Sequence, residues 1–163
     1  MQEHYNVLFL CTGNSARSIM AEAILNQKGP PAFTAYSAGS HPAGAVRPGA
    51  LKQLQAVHLP TAGLRSKSWD EFAQPDAPAL DFVFTLCDDA ANETCPAWPG
   101  HPVTAHWGVP DPAAVRGTPE QVERAYRNAF IALERRIDLL LSLPLSELDE
   151  LDLKKEADAI GKQ

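Results

Sequence analysis

Hydrophobic positions along this chain follow two rhythms, one of strands and one of helices. Val7 to Leu10 is a continuous apolar run of strand length, the pattern of a parallel strand covered on both faces. Behind it Met20, Ile24 and Leu25 recur at helical spacing, which predicts a helix from Arg17 to about Asn26, ended by Gly29-Pro30-Pro31. Phe33–Ser37 predicts a second short strand, followed by the turn-rich stretch AGSHPAGAVRPGA. Pro48 to Val57 predicts a helix with Ala50, Leu51, Leu54 and Val57 on one side, and Trp69–Phe72 a short helical turn capped by Ser68. Phe82–Cys87, aromatic and β-branched, predicts a third strand, and Val103–Trp107 a fourth. Thr118-Pro119-Glu120-Gln121 reads as a cap with proline at the first helical position. From there Val122, Tyr126, Phe130, Leu133, Ile137 and Leu140 carry one long helix to the neighbourhood of Pro144.

Strands alternating with helices predict an α/β fold: an open, mostly four-stranded parallel sheet with helices on both faces. The expected organisation is a single catalytic domain over 1–144, followed by an acidic helical tail over 145–163, packed on it or partly mobile. Leu145, Leu148 and Leu151 are the residues expected to face the domain. With 163 residues the chain can bury a core without disulfide staples. Fourteen Lys and Arg against 20 Asp and Glu give a net charge of −6, which argues against a nucleic-acid partner. No apolar stretch reaches the length of a membrane span, and the first residues lack the basic region of a secretory signal. A cytoplasmic location without a membrane partner is therefore expected. In that setting the three cysteines, Cys11, Cys87 and Cys95, point to catalysis, redox chemistry or metal binding rather than to staples.

Ligands of open parallel sheets bind beyond the carboxyl ends of the strands. Cys11, Cys87 and the loop holding Asp111 all follow predicted strand ends. In C-T-G-N-S-A-R-S, Cys11 to Ser18, the strand-to-helix turn aims successive backbone N–H groups into one concavity, to which the helix adds its positive end. Small residues at Gly13, Ser15 and Ala16 let the backbone curl tightly, and Arg17 offers a planar fork suited to a tetrahedral oxyanion. The same field favours a sulfur anion at Cys11, and Ser18 has a hydroxyl to donate to it. Asp111, fixed between Pro110 and Pro112, has the chemistry of a general acid, and equally that of a turn aspartate. Cys87 and Cys95 stand eight positions apart. Together with His101 and His106 they match a zinc site in residue type but lack the paired spacing, so no metal ligands are assigned. Cys87 could also simply end a core strand.

C-x5-R-S after a first strand, followed by MAEA, resembles the low-molecular-weight tyrosine phosphatase fold, and most closely its arsenate reductase branch. The resemblance implies that Cys11 is the nucleophile, that Thr12, Gly13, Asn14, Ser15, Ala16 and Arg17 form the oxyanion loop with Asn14 as its brace, and that Asp111 is the acid. The phosphatase branch carries an aromatic residue after the Asp-Pro pair. Here Ala113 follows, which counts against aryl phosphates. The implied substrate is arsenate, with phosphate or sulfate as analogues. The implied cycle runs through three thiols: Cys11 forms the adduct, Cys87 attacks the Cys11 sulfur, and Cys95 attacks Cys87. An external thiol reductant, thioredoxin or glutaredoxin, then reduces the Cys87–Cys95 bridge. Bridged cysteines need Cα atoms about 4.4–6.8 Å apart, whereas two helical turns separate theirs by about 12 Å, so a helix over 88–95 would have to unwind. No tightly bound cofactor is expected. A monovalent cation near Asn14 is a further implication of the resemblance, although no local acidic cluster argues for it. Two other functions fit the residues. A phosphatase would use Cys11, Arg17 and Asp111 alone, and an oxyanion-binding or redox-sensing module would perform no turnover.

Overall fold

The computed structural model describes residues 4–87, 98 and 100–163. Its elements run β1 (Tyr5–Leu10), α1 (Arg17–Lys28), β2 (Phe33–Ala38), α2 (Pro48–Ala56), β3 (Phe82–Thr85), β4 (Val103–His106), α3 (Pro119–Leu141) and α4 (Glu150–Ile160). Short 3-10 turns lie at Trp69–Phe72, Pro112–Ala114 and Leu145–Glu147. The strands form one parallel sheet in the order β2-β1-β3-β4. The chain steps from β1 to β2 on one side and then crosses back from β2 to β3 on the other side of β1, and this reversal opens a crevice beyond the end of β1.

Alternation along β1 divides the core. Val7 and Phe9 face the larger cluster, with Phe82 and Phe84, Met20 and Ile24 of α1, Leu54 of α2, Phe130, Leu133 and Ile137 of α3, and Ala157 and Ile160 of α4. Leu8 and Leu10 face the other side, where Phe72, Leu80 and Val83 cover them and Tyr36, Trp69 and Trp98 pack alongside. Because both faces are covered, β1 is apolar throughout its second half. β4, by contrast, alternates buried Val103 and Ala105 with exposed Thr104 and His106, the pattern of an edge strand. α4 shields that edge, and its Lys154 ammonium donates to the Thr104 carbonyl.

Expected boundaries and packing needed small corrections. β3 ends at Thr85, because Leu86 N–H still reaches Leu10 O at 2.8 Å while Leu86 O accepts from Val109 N–H at 3.0 Å, which steers the chain out of the ladder. Val57 is 41% exposed, since α2 ends at Ala56 before that residue can turn inward. In the tail, Leu151 is 67% exposed, and Ala157 and Ile160 make the buried contacts instead. The helix start at Thr118 has the full capping box: its hydroxyl accepts from Gln121 N–H, and the Gln121 side chain accepts from Thr118 N–H. The segment over 88–95, Cys95 included, lies outside the described residues.

Candidate active site

The loop from Cys11 to Arg17 is shaped from outside. Carbonyl oxygens of Thr12, Gly13 and Ser15 accept from the N–H groups of His41, Ala43 and Arg47 at 2.9, 2.9 and 2.8 Å. In a trans peptide the N–H points opposite to the carbonyl, so tying these three oxygens outward turns the N–H groups of Gly13, Asn14 and Ala16 toward the inside of the loop. α1 adds to the effect. No side chain caps its first turn and no acidic residue stands there, so the positive end of the helix is not offset locally. Close approach of the two segments depends on Gly39: a Cβ there would lie 2.7 Å from Cys11 O and nearer still to Thr12 O.

Asn14 braces the loop. It is fully buried with φ of +44°, a left-handed conformation that asparagine tolerates better than most residues. Its Oδ1 accepts from Lys67 N–H at 2.9 Å, which fixes the amide so that Nδ2 donates to Ser18 Oγ at 2.7 Å. Ser18 Oγ lies 2.9 Å from Cys11 Sγ. With Asn14 filling one of its acceptor positions, the Ser18 hydroxyl keeps its own proton to donate to a sulfur anion. A chain of hydrogen bonds thus runs from a distant backbone amide to Cys11 Sγ.

Three more predicted residues meet here. Arg17 donates through Nη1 to Val109 O at 2.9 Å, and its Nη2 lies 3.7 Å from Asp111 Oδ2. Asp111 Oδ1 accepts from Ala113 N–H at 2.9 Å, so the aspartate caps a turn and also faces the arginine. Cys87 Sγ accepts from Thr12 N–H at 3.3 Å and stands 3.4 Å from Thr12 Oγ1, which draws the second thiol to the rim of the loop that begins with the first. Cys11, Arg17, Cys87 and Asp111 share a cavity of about 200 Å³, closed by Ala43, Arg47 and Ala113. Among the described residues no aromatic side chain lines it. Trp107 is fully buried and stacks on Phe84 with ring centroids 3.7 Å apart, away from the cavity.

Sequence reasoning missed the supports. Arg47 gave no signal from within its turn-rich stretch, yet it contributes an amide to the loop and a side chain to the cavity wall. Lys67 binds Asn14 through its backbone, while its ammonium, 3.7 Å from Glu22 Oε1 and 2.9 Å from Arg65 O, is buried enough to hold its pKa below the usual lysine value. Ser37 completes this group by donating to Glu22 at 2.7 Å. The Lys67 ammonium therefore already opposes Glu22, so the residues beside Asn14 do not fit an added monovalent cation. Among the described residues no group of three His, Cys, Asp or Glu side chains is arranged to hold a metal.

Residues 6–156 match the family model described as low molecular weight phosphotyrosine protein phosphatase. The chain belongs to that family. An arsenate reductase of Bacillus subtilis (strain 168) is 40% identical over 119 residues, 73% of this chain and 82% of that one. Among solved structures of the family's fold, an arsenate reductase from Archaeoglobus fulgidus DSM 4304 aligns with a TM-score of 0.65 and 28% identity, over 84% of this chain and 99% of its own. A low molecular weight protein tyrosine phosphatase from T. tengcongensis aligns with a TM-score of 0.67 and 25% identity, over 84% and 97%. The family's fold thus carries both kinds of protein. What separates them in this chain must be sought in the thiols and in the walls of the cavity. No helix among the described residues is long and apolar enough to cross a membrane.

Proposed function

We propose that this member of the family is an arsenate reductase working through a relay of Cys11, Cys87 and Cys95. The observation that carries the reading is Cys87 Sγ held by Thr12 at the edge of the Cys11 cavity, a placement that hydrolysis of a phosphate ester does not require. Two further features support it. The cavity has alanines and two arginines where an aryl group would need a flat apolar wall, and 40% identity links the chain to a protein named arsenate reductase.

Arsenate enters as an oxyanion and displaces Arg17 from Asp111, taking the guanidinium and the inward N–H groups as its donors. Cys11 Sγ, as thiolate, attacks arsenic. Asp111 protonates the departing hydroxyl, which leaves as water, and a thiol-arsenate adduct remains. Cys87 thiolate then attacks Cys11 Sγ. The S–As bond breaks toward arsenic, arsenic keeps the pair and leaves as arsenite, and two sulfurs have given up two electrons to form a disulfide. Cys95 attacks Cys87, freeing Cys11, and an external dithiol protein of the thioredoxin or glutaredoxin class reduces the resulting bridge. The reading routes no step through a metal or monovalent cation.

Arsenate-dependent oxidation of a thiol donor, followed beside mass mapping of the bridged cysteines, tests the reading. Wild type should turn over. Cys11→Ser should be inert, and Cys87→Ser should stop at the adduct while retaining hydrolysis of p-nitrophenyl phosphate. Sustained arsenate turnover by Cys87→Ser and Cys95→Ser would overturn the relay. Hydrolysis of aryl phosphates as the sole activity of wild type would make the protein a phosphatase.

A further inference from the structure

Behind the acid loop stands a buried arginine that the proposed chemistry does not touch. Arg136, on α3, is 8% exposed, and its guanidinium faces backbone oxygens rather than a carboxylate side chain among the described residues. Nη1 donates to Trp107 O and to Gly108 O, both at 2.8 Å, and Nη2 reaches Gln163 O at 3.4 Å. The next carbonyl, Val109 O, is the one that Arg17 holds from the cavity side at 2.9 Å. Three successive carbonyls between β4 and Asp111 are therefore gripped by two guanidiniums, one from the core and one from the site. Its two short bonds, to Trp107 O and Gly108 O, go to neutral peptide carbonyls, and burial draws the Arg136 pKa below the ordinary arginine value. A hydrophobic side chain would avoid the cost of burying a charge but would leave the Trp107 and Gly108 carbonyls without this donor, so the arginine's distinctive contribution is the grip on these two oxygens.

We infer that Arg136 is a positioning residue for the acid step: by clamping the Trp107 and Gly108 carbonyls it sets the trajectory of the acid loop and so the approach of Asp111 to the cavity. α4 is tied to the same point. Trp107 Nε1 donates to Ala157 O at 3.0 Å, and a Cβ at Gly161 would run into His106 O. The C-terminal helix thus backs the stretch of chain that Arg136 holds. This inference rests on the reading of Asp111 as acid under the proposed function.

A double-mutant cycle tests it. The rate of adduct formation at Cys11 is measured in single turnover with arsenate, and in parallel as phosphoenzyme formation from p-nitrophenyl phosphate. Wild type, Arg136→Met, Asp111→Asn and the double variant are compared. Arg136→Met should slow this step about tenfold, the loss expected of a misplaced catalytic group. In the Asp111→Asn background it should change the rate less than about twofold, because the group it positions is gone. Inorganic phosphate should bind Arg136→Met within about twofold of wild type, since the oxyanion loop is held by other contacts. Equal losses in both backgrounds, or weakened phosphate binding, would show a structural role and overturn the inference. Should Arg136→Met fail to fold, Arg136→Lys decides by the same cycle, since it keeps the cation but loses the two-carbonyl fork. Wild-type rates in Asp111→Asn would instead reject the acid assignment itself, a result distinct from any failure of Arg136.

Discussion

A single side chain, Asn14, links the distant backbone through Ser18 to Cys11, and two of its properties can be separated by substitution. One is its left-handed backbone, φ +44°, and the other is the pair of amide hydrogen bonds to Lys67 N–H and Ser18 Oγ. Asn14→Ala loses both and should cost about 3 kcal/mol, combining backbone strain with a buried amide left unsatisfied. Asn14→Gly relaxes the backbone but still lacks the brace, so it should recover roughly 1 kcal/mol of stability without recovering turnover. Urea unfolding beside arsenate-dependent thiol oxidation measures the two effects. Restored activity in the glycine variant would mean that conformation, not the brace, is what the site needs. Cys11, Asn14, Arg17 and Ser18 could be found in the sequence because they lie within eight residues and one strand-to-helix turn positions them all. Lys67 and Gly39 could not, since each reaches the loop from a segment whose own composition suggests only a turn.

At the scale of elements, α1, β2 and the segment after α2 are joined by a polar group beneath the loop from Cys11 to Arg17. Glu22 comes from α1, Ser37 from β2 and Lys67 from the segment that also holds Asn14. Burial is the largest influence on the Lys67 ammonium and lowers its pKa from 10.5, with Glu22 opposing the effect. The sign follows from linkage. Between the folded value and 10.5 the unfolded chain binds the proton more readily, so this group's contribution to stability rises with pH across that window and is least favourable below it. The double variant Lys67→Met/Glu22→Gln should flatten that part of the stability profile. Denaturant midpoints followed from neutral pH up to 10.5 check it, and a profile parallel to wild type would mean that the ammonium is effectively solvated. Periodicity found the helices and strands themselves, because burial on one face imposes a repeat. In the tail it was right for Leu145, which packs against the core, and wrong for Leu151, which points outward, while the small residue Ala157 is buried because α4 approaches the Trp107 indole closely. A hydrophobic count cannot reveal such close approach, since the signal is the absence of bulk.

For the molecule as a whole, the site exists because chain ends of three neighbouring strands meet, and Trp107 is where that meeting is anchored. Its ring stacks on Phe84 at 3.7 Å with planes 16° apart, approaches Phe9 at 6.3 Å, and donates Nε1–H to Ala157 O. β1, β3, β4 and α4 therefore share one side chain, and the carbonyl of that residue is one of those Arg136 grips. Trp107→Ala removes the ring from a fully buried position and should cost about 3–5 kcal/mol, the range for large aromatic truncations in a core. Trp107→Phe keeps most of the stack and loses the indole bond, so it should cost only about 1 kcal/mol. The two variants differ in where they should loosen the protein. Without the indole donor, α4 loses its tie at Ala157, so Trp107→Phe should raise amide exchange in α4 while β1 and β3 stay protected. Trp107→Ala should raise exchange in α4, β3 and the loop holding Asp111 together, because the layer between the sheet and α4 is then hollow. Uniform exchange across all elements in Trp107→Phe would mean that α4 unfolds only with the whole domain and that the indole bond holds nothing local.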